Sequence, residues 1–347
     1  MPNKKFETGN PKIDQQISEL ADLFASSEIH ETLRREILTV IAKFFLEHTD
    51  LGDYKLINTS LKELRHAFRI FLPYRDIRKV VIFGSARTDK SDPCYTMTCK
   101  FAEMLTREGM MVITGAGGGI MEAANRGAGK GKSFGINIKL PFEQKANPYI
   151  QGDPKLMEFK YFFTRKLIFI KESDATVLLP GGVGTLDEGF ENLTLFQTGK
   201  SLPRPIILLE PKGGSYWKSW LAWVKEGLVK NKFVSPDDME LFKLTHSAEE
   251  ACRAIHDFYS VYHSLRYFKG LTVLRFTRPI PQKVIDRLNA EFKDIVAEGE
   301  IYASSLLEGE VKSHDVTHEM PRLVFKFNMH SFGRLNLMIR SINKWVE

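Results

Sequence analysis

The chain has 347 residues, 43% of them hydrophobic and 11% aromatic, which excludes a disordered composition and leaves ample material for a packed core. Its 49 basic and 43 acidic side chains leave a net charge of +6, a mild excess that suits an anionic ligand. No dense Arg/Lys tract with interleaved aromatics is present, so the composition does not point to nucleic acid.

The three cysteines, Cys94, Cys99 and Cys252, form no CxxC pair and their odd number argues against a disulfide framework. The N-terminal stretch lacks the apolar run of a signal peptide, and no segment approaches the roughly 18 apolar residues of a membrane span. The expectation is a soluble, cytoplasmic protein with no membrane partner.

Residues 12–72 read as helical. Ile13, Ile17, Leu20 and Phe24 recur at helix spacing, as do Leu33, Ile37, Val40, Ile41 and Phe44, and Pro73 ends the region. From Lys79 short β-rich runs alternate with amphipathic stretches. The runs are 79–83, 110–114, 133–138, 175–179 and 205–209. Continuous apolar strands separated by helices predict a Rossmann-like, doubly wound parallel sheet. Helices near 215–229 and 247–262 close this part. After Gly270 a β-α-β-β-α order suggests a small C-terminal α+β module. The expected boundaries are 1–76 for the helical region, 77–264 for the α/β domain and 268–347 for the module.

Three of the strands run into small-residue loops: Gly84-Ser85-Ala86-Arg87, Gly115 to Gly119, and Pro180-Gly181-Gly182-Val183-Gly184-Thr185. In such sheets ligands bind at the carboxyl ends of the strands. Glycines let a ligand approach the backbone, and a following helix N-terminus favours an anion. The Pro180 loop has a second reading, a tight turn in which Thr185 caps the next helix and Glu188 closes a capping box. Arg87 can hold a phosphate through two hydrogen bonds or stand free in solvent. The pair Arg165-Lys166, early in another helix, is open to the same two readings.

Neither a Walker A loop nor a complete dinucleotide fingerprint is present, so a nicotinamide cofactor is weakly supported. His314 and His318 stand four apart in a loop without an HExxH glutamate and read as surface residues.

Two elements together carry a resemblance. The loop Pro180-Gly181-Gly182-Val183-Gly184-Thr185-Leu186-Asp187-Glu188 carries the PGGxGTxxE pattern of the LOG ("lonely guy") family complete, and the upstream Phe162-Phe163-Thr164-Arg165-Lys166 resembles its MxxRK element, with the Arg-Lys and the spacing to Glu188 kept. These are nucleoside 5′-monophosphate phosphoribohydrolases, many of them labelled lysine-decarboxylase-like. The resemblance covers roughly residues 78–262. Phe162 replaces the usual methionine, and Asp187 the first of two usual glutamates.

The resemblance implies that Arg165 and Glu188 are the catalytic pair. It implies a substrate cleft built from Gly84, Ser85, Arg87, Gly117, Gly118, Gly119, Lys166, Gly181, Gly182, Gly184, Thr185 and Asp187. The implied substrate is a nucleoside 5′-monophosphate, either cytokinin-type N6-modified AMP or an ordinary purine or pyrimidine nucleotide. The scheme needs neither metal nor cofactor, and no lysine stands out as a pyridoxal phosphate anchor. The family also implies a homodimer or higher homo-oligomer, for which Phe190, Leu193, Leu195 and Phe196 on a helix over 187–198 offer a shared face or an ordinary core face. The alternative is a non-catalytic nucleotide sensor or carrier with the same fold.

Overall fold

The computed structural model describes residues 6–24, 28–47, 50–140, 145–307, 317 and 319–346. His314 and His318 lie outside these described residues. The chain forms two compact units, residues 1–62 and 63–347.

The first unit is helical, as its spacing predicts. Helix α1 (Pro11–Asp22) starts at Asn10, whose side chain accepts from the N–H groups of Lys12 and Ile13, with Pro11 in the first turn where its missing N–H costs nothing. Helix α2 (Glu28–Glu47) and the start of α3 (Leu51–Phe71) complete it. Phe44 and Tyr54 meet edge to face at 5.1 Å between ring centres.

The second unit opens with the end of α3 and a 3₁₀ turn at Leu72–Tyr74, where Pro73 stops the helix. Its main sheet has seven strands: β1 (Lys79–Phe83), β2 (Met111–Thr114), β3 (Ser133–Ile138), β4 (Leu156–Phe159), β5 (Ala175–Leu178), β6 (Ile206–Leu209) and β7 (Lys243–Thr245). All pair in parallel in the order β4-β3-β2-β1-β5-β6-β7. The chain therefore leaves β1 in one direction toward β2 and later returns on its other side with β5. That reversal makes the crevice at the carboxyl ends of β1 and β5 the expected binding place.

Strands buried on both faces explain the unbroken apolar runs. Val80 and Ile82 of β1 pack with Phe101 and Leu105 of α4 (Pro93–Arg107), Ile120 and Ala124 of α5 (Ile120–Ala128) and Ile255 of α9 (Ala248–Phe258). Val81 and Phe83 face the other core, with Ile168 and Phe169 of α6 (Phe162–Lys171), Phe196 of α7 (Val183–Gln197) and Trp217 of α8 (Tyr216–Trp223). A π-helical stretch at Val224–Val229 continues α8.

The C-terminal sheet is antiparallel, in the order β10-β11-β9-β8. It comprises β8 (Tyr262–Phe268), β9 (Leu271–Phe276), β10 (Val296–Ser304) and β11 (Arg322–Phe327), with helices α10 (Gln282–Glu291) and α11 (Phe332–Val346). The observed order is thus β-β-α-β-β-α. Strand β8, which the sequence reading assigned partly to the helix before it, pairs with β9 along its length. A boundary at 264–268 therefore falls inside a strand.

Candidate active site

Three backbone connections join the loops at the carboxyl edge of the sheet. Ser85 N–H donates to Pro180 O at 3.2 Å, Ile120 N–H to Ser85 O at 3.0 Å, and Leu179 N–H to Phe83 O at 2.9 Å. The contacts are close enough that glycine is required. A Cβ on Gly119, which has φ +59°, would lie 2.3 Å from Ser85 O. A Cβ on Gly181 would lie 2.2 Å from Thr185 Oγ1 and 3.0 Å from Ser85 N.

Helix α7 begins earlier than the capping-box reading requires. Its N-cap is Gly182, in extended backbone and without a side-chain cap. Thr185 and Leu186 N–H groups donate to Gly182 O at 3.0 and 3.2 Å. Thr185 thus stands in the first turn rather than at the cap, and the capping-box reading is corrected. The glycines bring the chain into the helix without a capping side chain. Gly182, Val183 and Gly184 are exposed at the helix N-terminus, Val183 to 85%, where backbone donors and the helix dipole favour an anion.

The loop after β2 is held from behind. Ala116 adopts φ +63°, an unusual conformation for a residue with a side chain. Asn147 stabilises it by donating its amide to the carbonyls of Ala116 and Gly117 at 3.1 and 3.0 Å and to Asn125 Oδ1 at 2.9 Å. Thr114 Oγ1 closes the same network by donating to Asn125 Oδ1 at 2.8 Å.

These loops and two helices enclose a cleft of about 580 Å³. Of the residues expected there, Gly84, Ser85, Arg87, Arg165, Gly182, Gly184, Thr185, Asp187 and Glu188 line it. Gly117, Gly118, Gly119, Gly181 and Lys166 do not line it. Phe83, Ala86, Gly115, Met121 and Val183 line it without having been singled out, as does Phe162 at the position where the sequence departs from the family pattern. Gly115 was legible only as part of a glycine cluster; its role is to make room, since a Cβ there would sit 2.6 Å from Arg165 Nη2.

Glu188 is 6% exposed, and its Oε2 is buried without a hydrogen-bond partner. Burial pushes its carboxyl up to about 7, against the pull of the Arg165 and Lys166 charges. Arg165 donates from Nε to Ile136 O at 2.9 Å and lies over the Phe169 ring at 4.9 Å. Burial lowers its pKa while the Glu188 charge opposes that shift. Lys166 is spoken for: Asp187 Oδ2 and Glu191 Oε2 both lie 2.9 Å from Nζ. Burial works against its charge, but the bonds to these two carboxylates outweigh it and hold the pKa above the ordinary value.

The pair is supported from its helices. Thr164 Oγ1 and Lys160 N–H both donate to the buried Glu63 carboxylate at 2.6 Å, which fixes the start of α6. Asn192 Nδ2 donates to Glu188 O at 2.7 Å, and Asn192 Oδ1 accepts from Thr176 Oγ1 at 2.8 Å and from Arg204. Tyr216 Oη donates to Gly181 O at 2.6 Å, a link 35 residues apart that no local pattern announces. The helix expected to present a shared face is largely occupied within the chain. Phe196 is in the core, and Phe190 packs on Trp220 and Trp223. Among the described residues no group of three or more His, Cys, Asp or Glu is placed to hold a metal ion, and no helix is long and apolar enough to cross a membrane.

A family model described as "Possible lysine decarboxylase" matches residues 121–255, the stretch that carries both sequence elements. A cytokinin riboside 5′-monophosphate phosphoribohydrolase of Mycobacterium tuberculosis is 39% identical over 90 residues, 26% of this chain and 46% of that protein. A protein of the same description from Arabidopsis thaliana is 27% identical over 184 residues, 52% of this chain and 83% of its own. Over this stretch the chain is similar to the LOG family. It spans less than half the length of the Mycobacterium relative and, at 42%, of another Arabidopsis relative. Among solved structures, the molybdenum cofactor binding protein of Rippkaea orientalis is 20% identical, with a TM-score of 0.36 over 52% of this chain and 94% of that one. In this chain the pattern residues Arg165 and Glu188 meet at one cleft, although they belong to different helices 23 positions apart in the sequence.

Proposed function

We propose that the cleft hydrolyses the N-glycosidic bond of a nucleoside 5′-monophosphate, releasing the free base and ribose 5-phosphate. The observation that carries the reading is Glu188: a buried carboxylate with an unpartnered oxygen, on the first turns of the helix whose glycine N-terminus offers an anion site, beside a half-buried arginine.

In this reading the 5′-phosphate rests on the backbone donors of Gly182 to Gly184, within reach of Arg87. The ribose then lies along the first turns of α7, over Glu188. As the C1′–N bond breaks, its electron pair leaves with the base and positive charge builds on the ribose, as in glycoside hydrolysis. The Glu188 carboxylate stabilises that charge and takes a proton from the water whose oxygen bonds to C1′. Arg165, held rigidly by Ile136 O and the Phe169 ring, orients the nucleotide and favours departure of the electron-rich base. Phe162 lines the cleft and is a contact for the base. Decarboxylation of lysine is not favoured. The lysine of the Arg-Lys element is tied to two carboxylates and does not line the cleft. A homo-oligomer, as the family resemblance implies, is part of the same proposal, and light scattering on the purified protein tests it.

The test incubates the protein with AMP, GMP, IMP, CMP, UMP and N6-isopentenyl-AMP and follows free base by chromatography. Release from at least one, abolished by Glu188→Gln with nucleotide binding retained, is expected. Binding without release from any of them would replace the hydrolase by a nucleotide carrier or sensor.

A further inference from the structure

A second cavity, of about 430 Å³, opens at the opposite edge of the seven-stranded sheet. Its walls come from residues that lead into strands. Arg78 precedes β1, Asp174 precedes β5, and Pro203 and Arg204 precede β6; the junction of α9 with β8 closes it. Nothing in the proposed hydrolysis uses it.

Five basic side chains line the cavity, Arg78, Lys171, Lys200, Arg204 and His263, against one acid, Asp174. That acid is already engaged. Its Oδ2 accepts Lys79 N–H at 2.8 Å, and its Oδ1 lies 3.3 Å from Arg78 Nη1. Lys171 pairs with Glu172 outside the cavity, whereas Lys200 makes no ion pair among the described residues. Arg204 is 5% exposed and donates only to neutral groups: Ile170 O, Ser173 O and Ser173 Oγ, each at 2.9 Å, and Asn192 Oδ1. Arg78 lies flat against the Tyr259 ring at 3.7 Å, which holds its guanidinium in place. A concave site with this excess of fixed positive charge focuses its field on an anion.

Arg204 touches both helices of the catalytic cleft. Through Ile170 and Ser173 it holds the end of α6, which carries Arg165. Through Asn192 it holds α7 one turn beyond Glu188, whose carbonyl accepts the other end of that amide at 2.7 Å. We propose that this cavity is a second ligand site, for a small oxyanion of two or more charges, and that its occupant acts on Arg165 and Glu188 through Arg204. Phosphate esters and polycarboxylates share the required chemistry.

Hydrogen exchange of the full chain, with pyrophosphate and separately with citrate, tests the site without reference to turnover. Slowed exchange at 199–204 and 259–264 is expected, and Lys171→Glu/Lys200→Glu should lose it while keeping protection at 180–188. Both lysines are exposed, and Lys200→Glu alone serves if the double variant folds poorly. Protection by pyrophosphate alone assigns a phosphate ligand, by citrate alone a carboxylate, and by both a general oxyanion site. Protection confined to 84–87 and 180–188, or unchanged in the variant, would overturn the proposal. In the base-release assay pyrophosphate should alter kcat as well as KM; a purely competitive effect removes the coupling through Arg204 and leaves the hydrolase reading intact.

Discussion

Replacing Glu188 by Gln should stabilise the fold at alkaline pH while abolishing turnover. The carboxyl stands at about 7 in the folded chain against an ordinary 4.5. A difference of that size corresponds to about 3 kcal/mol at most, since each pKa unit is worth about 1.4 kcal/mol. The sign follows from proton binding. Between the two values the folded chain keeps a proton that the unfolded chain releases. The contribution is therefore fully present below pH 4.5 and is lost as pH rises through about 7. Glutamine has the shape of the protonated acid and never ionises, so the variant escapes that loss. Relative to the natural chain it should gain about 2 to 3 kcal/mol between pH 5 and pH 8. For a cooperative unit of about 285 residues the entropy of unfolding is on the order of 0.6 kcal/mol/K, so the gain corresponds to about 5 °C in Tm. Urea or thermal unfolding of both proteins at pH 5, 6, 7 and 8 measures it. A gap that stays constant across this range would refute the claim that Glu188 is buried with a strongly raised pKa.

Three further outcomes follow from the same geometry. If the ionised Glu188 is the working form, kcat/KM for base release should rise about tenfold per pH unit below about 7 and level off above it; a rate that falls over that interval would make Glu188 a proton donor instead. Gly181→Ala forces a Cβ onto Thr185 Oγ1 and should destabilise the loop, by about 1–3 kcal/mol, and weaken nucleotide binding. Gly184→Ala meets no atom within 4 Å and lies in the first turn of α7, so it should raise stability by about 0.5–1 kcal/mol. Chemical unfolding of the two variants side by side separates a steric requirement for glycine from a merely permissive one.

The central strands were legible because burial on both faces leaves uninterrupted apolar runs, as in Lys79–Phe83 and Ile206–Leu209. Strand β4 was not, because Leu156–Phe159 lies at a sheet edge and alternates buried with exposed positions, Glu158 among them. Strand β7 is only three residues long. Strand β8 carries His263, Ser264 and Arg266, so its polar texture hid a strand that pairs with β9. At the site, Thr185-x-x-Glu188 satisfied the letter pattern of a capping box, but the glycines start the helix earlier and make the cap redundant. The contributions of Gly115, Tyr216 and Asn147 depend on which loops the fold brings together, and nothing in their local sequence encodes that.

The loops of the cleft are fastened to one another by main-chain atoms: Ser85 N–H to Pro180 O, Ile120 N–H to Ser85 O, with Asn147 bracing Ala116 from outside the wall. The side chains that face the cleft, such as Arg87, Phe162 and Val183, take no part in that fastening. Selectivity and architecture are therefore written in separate sets of atoms. Mutational drift at the facing positions can retune which molecule is accepted while the frame that aligns Arg165 with Glu188 stays in place, which makes this cleft a practical starting point for redirecting substrate choice by design.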